Sequence, residues 1–260
     1  MKLRMENKIV ISKENIITGL KSLGLQNGDA ALVHSSLSSF GIVTGGIDTV
    51  IDALLETVGA EGTIMIPALT GSEKLSADNP PVFDVRTSAC WTGKIPETFR
   101  KRKEAIRSLH PTHSVSAIGA KAKFFTDDHD KCVTPCGLNS PYHKLAQTSG
   151  YVLLLGVDLE CCTLLHTAEE LAGVDYVNQK DFVLASVTDY AGNERKLKLK
   201  IHKYGDERNF ANLERMLVEK NILKKGKIGN AEIRLIKAGP LLNLTIELLK
   251  KNPKYLLMNA

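Results

Sequence analysis

Apolar positions along the chain follow two alternating patterns. Short, nearly continuous runs of strand length lie at 30–34 (AALVH), 63–67 (TIMIP), 114–118 (SVSAI) and 151–157 (YVLLLGV). Between them the spacing becomes helical. In 47–58, Ile47, Val50, Ile51, Leu54, Leu55 and Val58 share one stripe, the three-to-four periodicity of an amphipathic helix. Residues 92–103 predict a second helix, with Pro96 near its first turn, where a missing N–H costs little. Residues 163–173 predict a third. Farther on, 182–188, 196–201 and 232–237 read as strands, and the turn Asp189-Tyr-Ala-Gly-Asn193 joins the first two into a hairpin. Helices are expected at about 210–221 and 240–250.

Continuous apolar strands alternating with helices point to a sheet covered on both faces. The expected class is α/β, with a largely parallel central sheet, flanking helices and a C-terminal α+β section packed on it. The expected organisation is a single domain over 1–260, with an α/β core in 1–177 and the α+β section in 178–260.

Composition adds limits. With 43% hydrophobic and 24% charged residues, the chain reads as globular. It contains no apolar run long enough for a membrane span, and MKLRMENKIV lacks the apolar stretch of a secretory signal. Five cysteines, an odd number, fit reduced thiols and a cytoplasmic location better than a disulfide set. The net charge of +5 is mild, and the basic excess lies after about residue 193. The body before it is net acidic, which suits a cationic small molecule. Neither nucleic acid nor membrane is an expected partner.

Three segments carry candidate chemistry. In the first, a strand ends in His34-Ser-Ser-Leu-Ser-Ser-Phe-Gly41 and a Thr44-Gly45-Gly46 turn opens a helix. Unpaired N–H groups at a helix start favour phosphate, although GxGxxG and the P-loop lysine are both absent. The second is Arg107-Ser-Leu-His110-Pro-Thr-His113-Ser114, where a guanidinium suits phosphate and either imidazole suits proton transfer. The third is Thr163-Leu-Leu-His166-Thr-Ala-Glu169-Glu170, following the strand at 151–157. On a helix, His166 and Glu169 share a face, and a carboxylate there can orient an imidazole that accepts a proton. His110, His113, His129, Cys132 and Cys136 fit no zinc spacing, so no metal is expected. GxSxG is absent, which argues against a serine hydrolase.

In order, VHSSLSSFGIVTGGIDTVIDALLETVG, GTIMIPALT, FDVRTSACWTGKIPETFRKRKEAIRSLHPTHSVSAIG, GLNSPYHKLAQTSGYVLLLGV and TLLHTAEEL resemble the aminoglycoside 3-N-acetyltransferase family (the antibiotic N-acetyltransferases). The likeness is clear over about residues 15–180. It implies acetyl transfer from acetyl-CoA, as co-substrate, to a primary amine attacking directly in a ternary complex. The acceptor implied first is the 3-amino group of a 2-deoxystreptamine aminoglycoside, which makes antibiotic resistance the expected role. The alternative is acyl-CoA-dependent acylation of a different small amine in natural-product metabolism. The resemblance makes His166, oriented by Glu169, the base, with His110 and His113 at the same centre. It assigns CoA to His34, Ser35, Ser36, Leu37, Gly41, Thr44, Gly45, Gly46, Arg107, Ser108, Ser114, Val115 and Ser116. Backbone N–H groups or a hydroxyl such as Ser35 or Thr70 would meet the oxyanion. Asp78, Asp84, Asp158, Glu160, Glu170 and Asp175 are candidate carboxylates for the cationic acceptor. Where the family commonly reads close to TSLHxAEY, this chain has Leu164 and Glu170, which bears on the acceptor. The chain works as a monomer or a homodimer; both remain open.

Overall fold

The computed structural model describes residues 9–258. The expectation about a secretory signal falls mostly on residues 1–8, outside the described residues. Among the described residues, twelve strands and eight α-helices run in the order β1 (Val10–Ile11), α1 (Lys13–Leu23), β2 (Ala30–Ser35), β3 (Ile42–Val43), α2 (Gly46–Val58), β4 (Thr63–Pro67) and β5 (Val82–Asp84). Next come α3 (Lys94–Phe99), β6 (Ile106–Arg107), β7 (Val115–Gly119), α4 (Ala122–Thr126), α5 (Pro141–Gln147), β8 (Tyr151–Leu155) and α6 (Leu164–Ala172). The chain ends with β9 (Val183–Thr188), β10 (Glu194–Leu199), α7 (Glu214–Glu219), β11 (Leu223–Ile228), β12 (Ala231–Lys237) and α8 (Ala238–Lys251).

The central sheet has seven strands in the order β11-β12-β8-β2-β4-β7-β6. Only β8-β2 and β2-β4 pair in parallel; β11-β12, β12-β8, β4-β7 and β7-β6 are antiparallel. The sheet is therefore mixed, which corrects the expected largely parallel one. An apolar run reports burial on both faces but carries no information on strand direction. The C-terminal section also differs from expectation. Its β11-β12 hairpin extends the central sheet through β8, while β9 and β10 form a second sheet with β5.

Alternation along each central strand divides the core. Leu32, Met65, Val152 and Leu154 face α5, α6 and α8, whereas Ala31, Val33, Ile64, Ile66, Leu153 and Leu155 face α1, α2 and α3. Burying one such side chain stabilises the fold by about 1.5–3 kcal/mol, so these helices hold the parallel centre on both sides. Helix α1 is set by a capping box, in which Ser12 Oγ accepts from Asn15 N–H and Asn15 Oδ1 accepts from Ser12 N–H.

Two local features aim polar residues at the carboxyl ends of β2, β4 and β8. Because β7 runs antiparallel to β4, the segment entering β7 lies beside the exit from β4, with Ala68 N–H donating to the Ser114 carbonyl and Thr70 N–H to that of Thr112. Just after β8, Gly156 adopts φ 67°, and a Cβ there would lie 1.7 Å from Ser39 Oγ. Only glycine lets the Ser36–Phe40 turn close against the strand end.

Candidate active site

A cavity of about 420 Å³ opens where β2, β4 and β8 end. Val33, His34 and Ser35 reach it from β2, Pro67 and Leu69 from the β4 exit, and Val157 from beyond β8. Ligands collect at this end of parallel strands because the chain leaves them in diverging loops. The opposite wall is His166 on α6 together with His202, Tyr204, Asp206, Arg208 and Phe210 from the segment before α7.

His166 and Glu169 meet as their helical spacing requires. His166 Nδ1 lies 2.6 Å from Glu169 Oε2, with His166 partly exposed and the Glu169 side chain 0% exposed. Arg208 Nε donates to the second oxygen, Oε1, at 3.1 Å. Burial alone would raise the Glu169 carboxyl, but hydrogen bonding and charge from His166 and Arg208 outweigh it and leave its pKa below the ordinary value. Glu169 is thus a carboxylate that accepts a hydrogen bond from His166 Nδ1–H, which leaves the Nε2 lone pair for chemistry. The guanidinium of Arg208 also lies 4.9 Å over the Tyr176 ring, which fixes the back of the chain of contacts.

The histidines of the second segment divide. His113 lines the cavity, its ring 4.3 Å from that of His202. Burial and then the neighbouring His202 and His166 push its pKa well below the ordinary value, so it is neutral. His110 lies behind it, fully buried and stacked on His129 at 4.5 Å. Its Nδ1 accepts the backbone N–H of His113 at 3.1 Å. That contact shapes the loop and removes His110 from the cavity wall.

The residues assigned to CoA also separate. His34 and Ser35 line the cavity, and neither His34 Nε2 nor Ser35 Oγ has a partner among the described residues. Burial drives the His34 pKa to about 3. Ser36, Leu37 and Gly41 belong to the turn after β2, and Thr44, Gly45 and Gly46 form the entry to α2; none lines the cavity. Arg107 is 2% exposed. It donates to Ser114 Oγ at 2.9 Å, to the Ala68 carbonyl at 2.9 Å and to the Ser88 carbonyl, and it lies over Phe83. An arginine bonded to carbonyls and buried against an aromatic ring braces the β4–β7 junction, and it lies outside the cavity lining. Ser108 is equally engaged, bonded to His129 Nδ1 at 2.8 Å and to Val115 N–H at 2.9 Å. Ser114, Val115 and Ser116 are all 0% exposed and lie outside the cavity lining. Thr70 donates its hydroxyl to the Pro111 carbonyl at 2.7 Å, so of the two expected hydroxyls Ser35 is the one at the cavity.

Among the six candidate acceptor carboxylates, Glu160 alone lines the cavity. Asp78 and Asp175 are exposed, Asp84 accepts from the backbone of Arg86 and Thr87, and Asp158 caps the turn holding Glu160. Glu170 is turned inward. Its side chain is 2% exposed, Oε1 accepts from His202 Nε2 at 2.7 Å, and both oxygens face Cys136 N–H. Burial raises its pKa to about 7. These bonds tie α6 to the segment after β10 and to the loop before α5.

Sequence reasoning missed the wall at 202–210 and the exposed Trp91 at the rim. The available signal was the run His202-Lys-Tyr-Gly-Asp-Glu-Arg208, polar and uninterrupted after a hairpin. It lies in the section expected only to pack on the α/β core. All five cysteines are free thiols, and no helix among the described residues is long and apolar enough to cross a membrane.

Residues 32–250 match the model of the aminoglycoside 3-N-acetyltransferase family. The chain belongs to the aminoglycoside 3-N-acetyltransferase family. It is 31% identical to aminoglycoside N(3)-acetyltransferase IX of Micromonospora chalcea, over 91% of this chain and 92% of that protein. The aminoglycoside N(3')-acetyltransferase-like protein YokD of Bacillus subtilis (strain 168) is 32% identical, over 86% of this chain and 87% of its own. Among solved structures, the aminoglycoside acetyltransferase AAC(3)-Xa superposes with TM-score 0.81 at 31% identity, covering 93% of each chain. AAC-IIIb in a binary complex with CoASH gives 0.80 at 28% identity, over 94% of this chain and 97% of that one. This family member is an acetyltransferase, and the cavity described above is its candidate active site.

Proposed function

We propose that this enzyme transfers the acetyl group of acetyl-CoA to a primary amine, with the 3-amino group of a 2-deoxystreptamine aminoglycoside as the foremost acceptor. The observation that carries the proposal is the Arg208–Glu169–His166 chain ending at the cavity wall. An ammonium has no lone pair, so the acceptor must lose a proton inside the site. His166 Nε2 takes it, and Glu169 holds the ring and balances the imidazolium. The amine nitrogen then bonds to the thioester carbonyl carbon. Ser35 Oγ and backbone N–H groups meet the resulting oxyanion. Collapse breaks the carbon–sulfur bond, and the proton on His166 passes to the departing thiolate of CoA.

Relatives support the ligands of this reading. The AAC-IIIb structure contains CoASH, and a variant of AAC(3)-IVa was solved in complex with a gentamicin. In this chain the turn after β2 and the Gly45-Gly46 entry to α2 are the places we assign to the CoA phosphates and pantetheine. Glu160 and Asp206, both at the cavity, attract the cationic acceptor. A cytoplasmic enzyme, meeting acetyl-CoA where it is made and protecting against the drug, goes with this reading.

A second acceptor class is favoured by one observation. Glu170, at a position where the family motif commonly has tyrosine, is buried and bonded to His202, so the wall around His202 is reshaped. That suits acylation of a different small amine of natural-product metabolism. Thiol release from acetyl-CoA, measured with a panel of aminoglycosides and simple polyamines, separates the two. Turnover with deoxystreptamine aminoglycosides supports the first acceptor; tight acetyl-CoA binding without any such turnover overturns it.

A further inference from the structure

The histidines and cysteine behind the cavity form a second constellation that acetyl transfer does not use. His113, Cys136 and His202 come from the entry to β7, the loop before α5 and the segment after β10. One ligand atom from each lies within 4.8 Å of the others, and all three residues are buried. Because His202 joins from a distant segment, the linear spacing of the histidines and cysteines hides the grouping.

The second sphere is organised as a metal site requires. His113 is bonded through Nδ1 to Thr112 Oγ1 at 2.9 Å, so Nε2 is the nitrogen left for a metal. His202 is bonded through Nε2 to Glu170 Oε1 at 2.7 Å, so Nδ1 is left. A ligating histidine whose other nitrogen is held by a carboxylate or hydroxyl is the usual arrangement around zinc, because the partner sets tautomer and ring orientation. The donor set of one sulfur and two imidazoles suits Zn²⁺ and its thiophilic neighbours over Mg²⁺ or Ca²⁺. Charge also balances: a Cys136 thiolate and the Glu170 carboxylate together offset a divalent cation. Zinc bonds of about 2.3 Å to sulfur and about 2.0–2.1 Å to nitrogen require the three atoms, now within 4.8 Å of one another, to draw in around the ion. His113 and His202 both line the cavity, so the fourth position would open into it.

We infer that His113, Cys136 and His202 bind one thiophilic divalent cation, such as Zn²⁺, at the back of the cavity, and that its occupancy blocks acetyl transfer. The thiol proton of Cys136 leaves to solvent as the sulfur–metal bond forms. The His202 ring lies 4.9 Å from that of His166. The bound metal and its fourth ligand therefore sit in the cavity wall beside the base and occupy space the acceptor needs. The inhibitory half rests on the proposed transfer reaction; the binding half does not.

The test uses the reduced, metal-free full-length protein titrated with Co²⁺. One equivalent is expected to produce a thiolate-to-cobalt charge-transfer band in the near ultraviolet, with the visible bands of a four-coordinate ion. The band should vanish in Cys136→Ala and His202→Ala and persist in Cys161→Ala, whose thiol is exposed. Glu170→Gln should weaken the competing Zn²⁺ affinity about 10–100-fold. Zn²⁺ should suppress thiol release by the wild type and spare Cys136→Ala. No band in the wild-type protein overturns the site without reference to any variant's folding. A band that survives in Cys136→Ala, or disappears only in Cys161→Ala, also overturns it. Zn²⁺ bound with transfer undiminished overturns the inhibitory half. Absence of an amine substrate would overturn the transfer proposal and leave the cobalt result to decide the site.

Discussion

Replacing Glu169 by glutamine removes one charge and keeps the shape of the side chain. Glu169 is 0% exposed and receives His166 Nδ1 at 2.6 Å, and its pKa is held below the ordinary value against the effect of burial. A buried hydrogen bond to an ionised group has a net value of about 1.5–3 kcal/mol. That stabilisation is fully felt only when His166 becomes an imidazolium, during transfer. At 1.36 kcal/mol per factor of ten, Glu169→Gln should lower kcat about 10- to 150-fold. KM for acetyl-CoA should change little, because the pair touches the proton and not the thioester carrier. Glutamine can still accept from Arg208, so the fold should survive with a modest loss of Tm. The assay is steady-state thiol release at saturating acetyl-CoA, with circular dichroism and thermal melting on the same sample. A folded Glu169→Gln enzyme with kcat within twofold of wild type would refute the assigned role.

Four further outcomes follow from the geometry. Ser35→Ala should lower kcat about 10²–10³-fold if its unpartnered hydroxyl meets the oxyanion, and unchanged kcat would transfer that role to backbone N–H groups. Glu160→Gln and Asp206→Asn should each raise the acceptor KM about 2–5-fold, the scale of one partly exposed charge pair, as read from acceptor saturation curves. Gly156→Ala should cost at least about 1–3 kcal/mol, because φ is 67° and the new Cβ would overlap Ser39 Oγ; a urea midpoint equal to wild type would refute the collision. His129 is neutral when folded, its pKa pulled by burial to about 3 from an ordinary 6.5. The unfolded chain therefore binds a proton below about pH 6.5 that the folded protein refuses until about pH 3. Stability should fall with falling pH across that window by about 1.4 kcal/mol per unit for this residue, and His129→Asn should flatten the slope of urea midpoint against pH.

Much of the fold was legible because burial leaves a strong trace in sequence. The run at 63–67 is strand β4 to the residue, and the stripe from Ile47 to Val58 is α2. Strand direction leaves no such trace. Whether β7 and β12 run with or against their neighbours depends on where the connecting loops return, and both return antiparallel. Helix α1 and the β11 hairpin strand went unread for a different reason. Their polar residues, Lys13, Glu14, Asn15 and Lys21 in α1 and Lys224, Lys225 and Lys227 in β11, dilute the apolar period.

The site shows the same division. His166 and Glu169 were found because their meeting is a local consequence of helical spacing. Arg107 looked like a phosphate ligand by residue type, yet it donates to Ser114 Oγ and to the Ser88 and Ala68 carbonyls once β4 and β7 pair. Glu170, one position beyond Glu169, points to the other side of α6, where only tertiary packing supplies His202 and Cys136 N–H. Helical phase distinguishes these neighbours, but the identity of each partner is non-local.

Everything proposed for the transfer depends on His166 taking a proton from an amine that attacks acetyl-CoA. The most direct measurement is thiol release by His166→Ala beside wild type, at saturating acetyl-CoA and a verified amine acceptor, with the acetylated product identified by mass spectrometry. The variant should fold, bind acetyl-CoA with wild-type affinity and turn over about 10²–10⁴-fold more slowly. A His166→Ala enzyme forming the same acetylated product at the wild-type rate would contradict it.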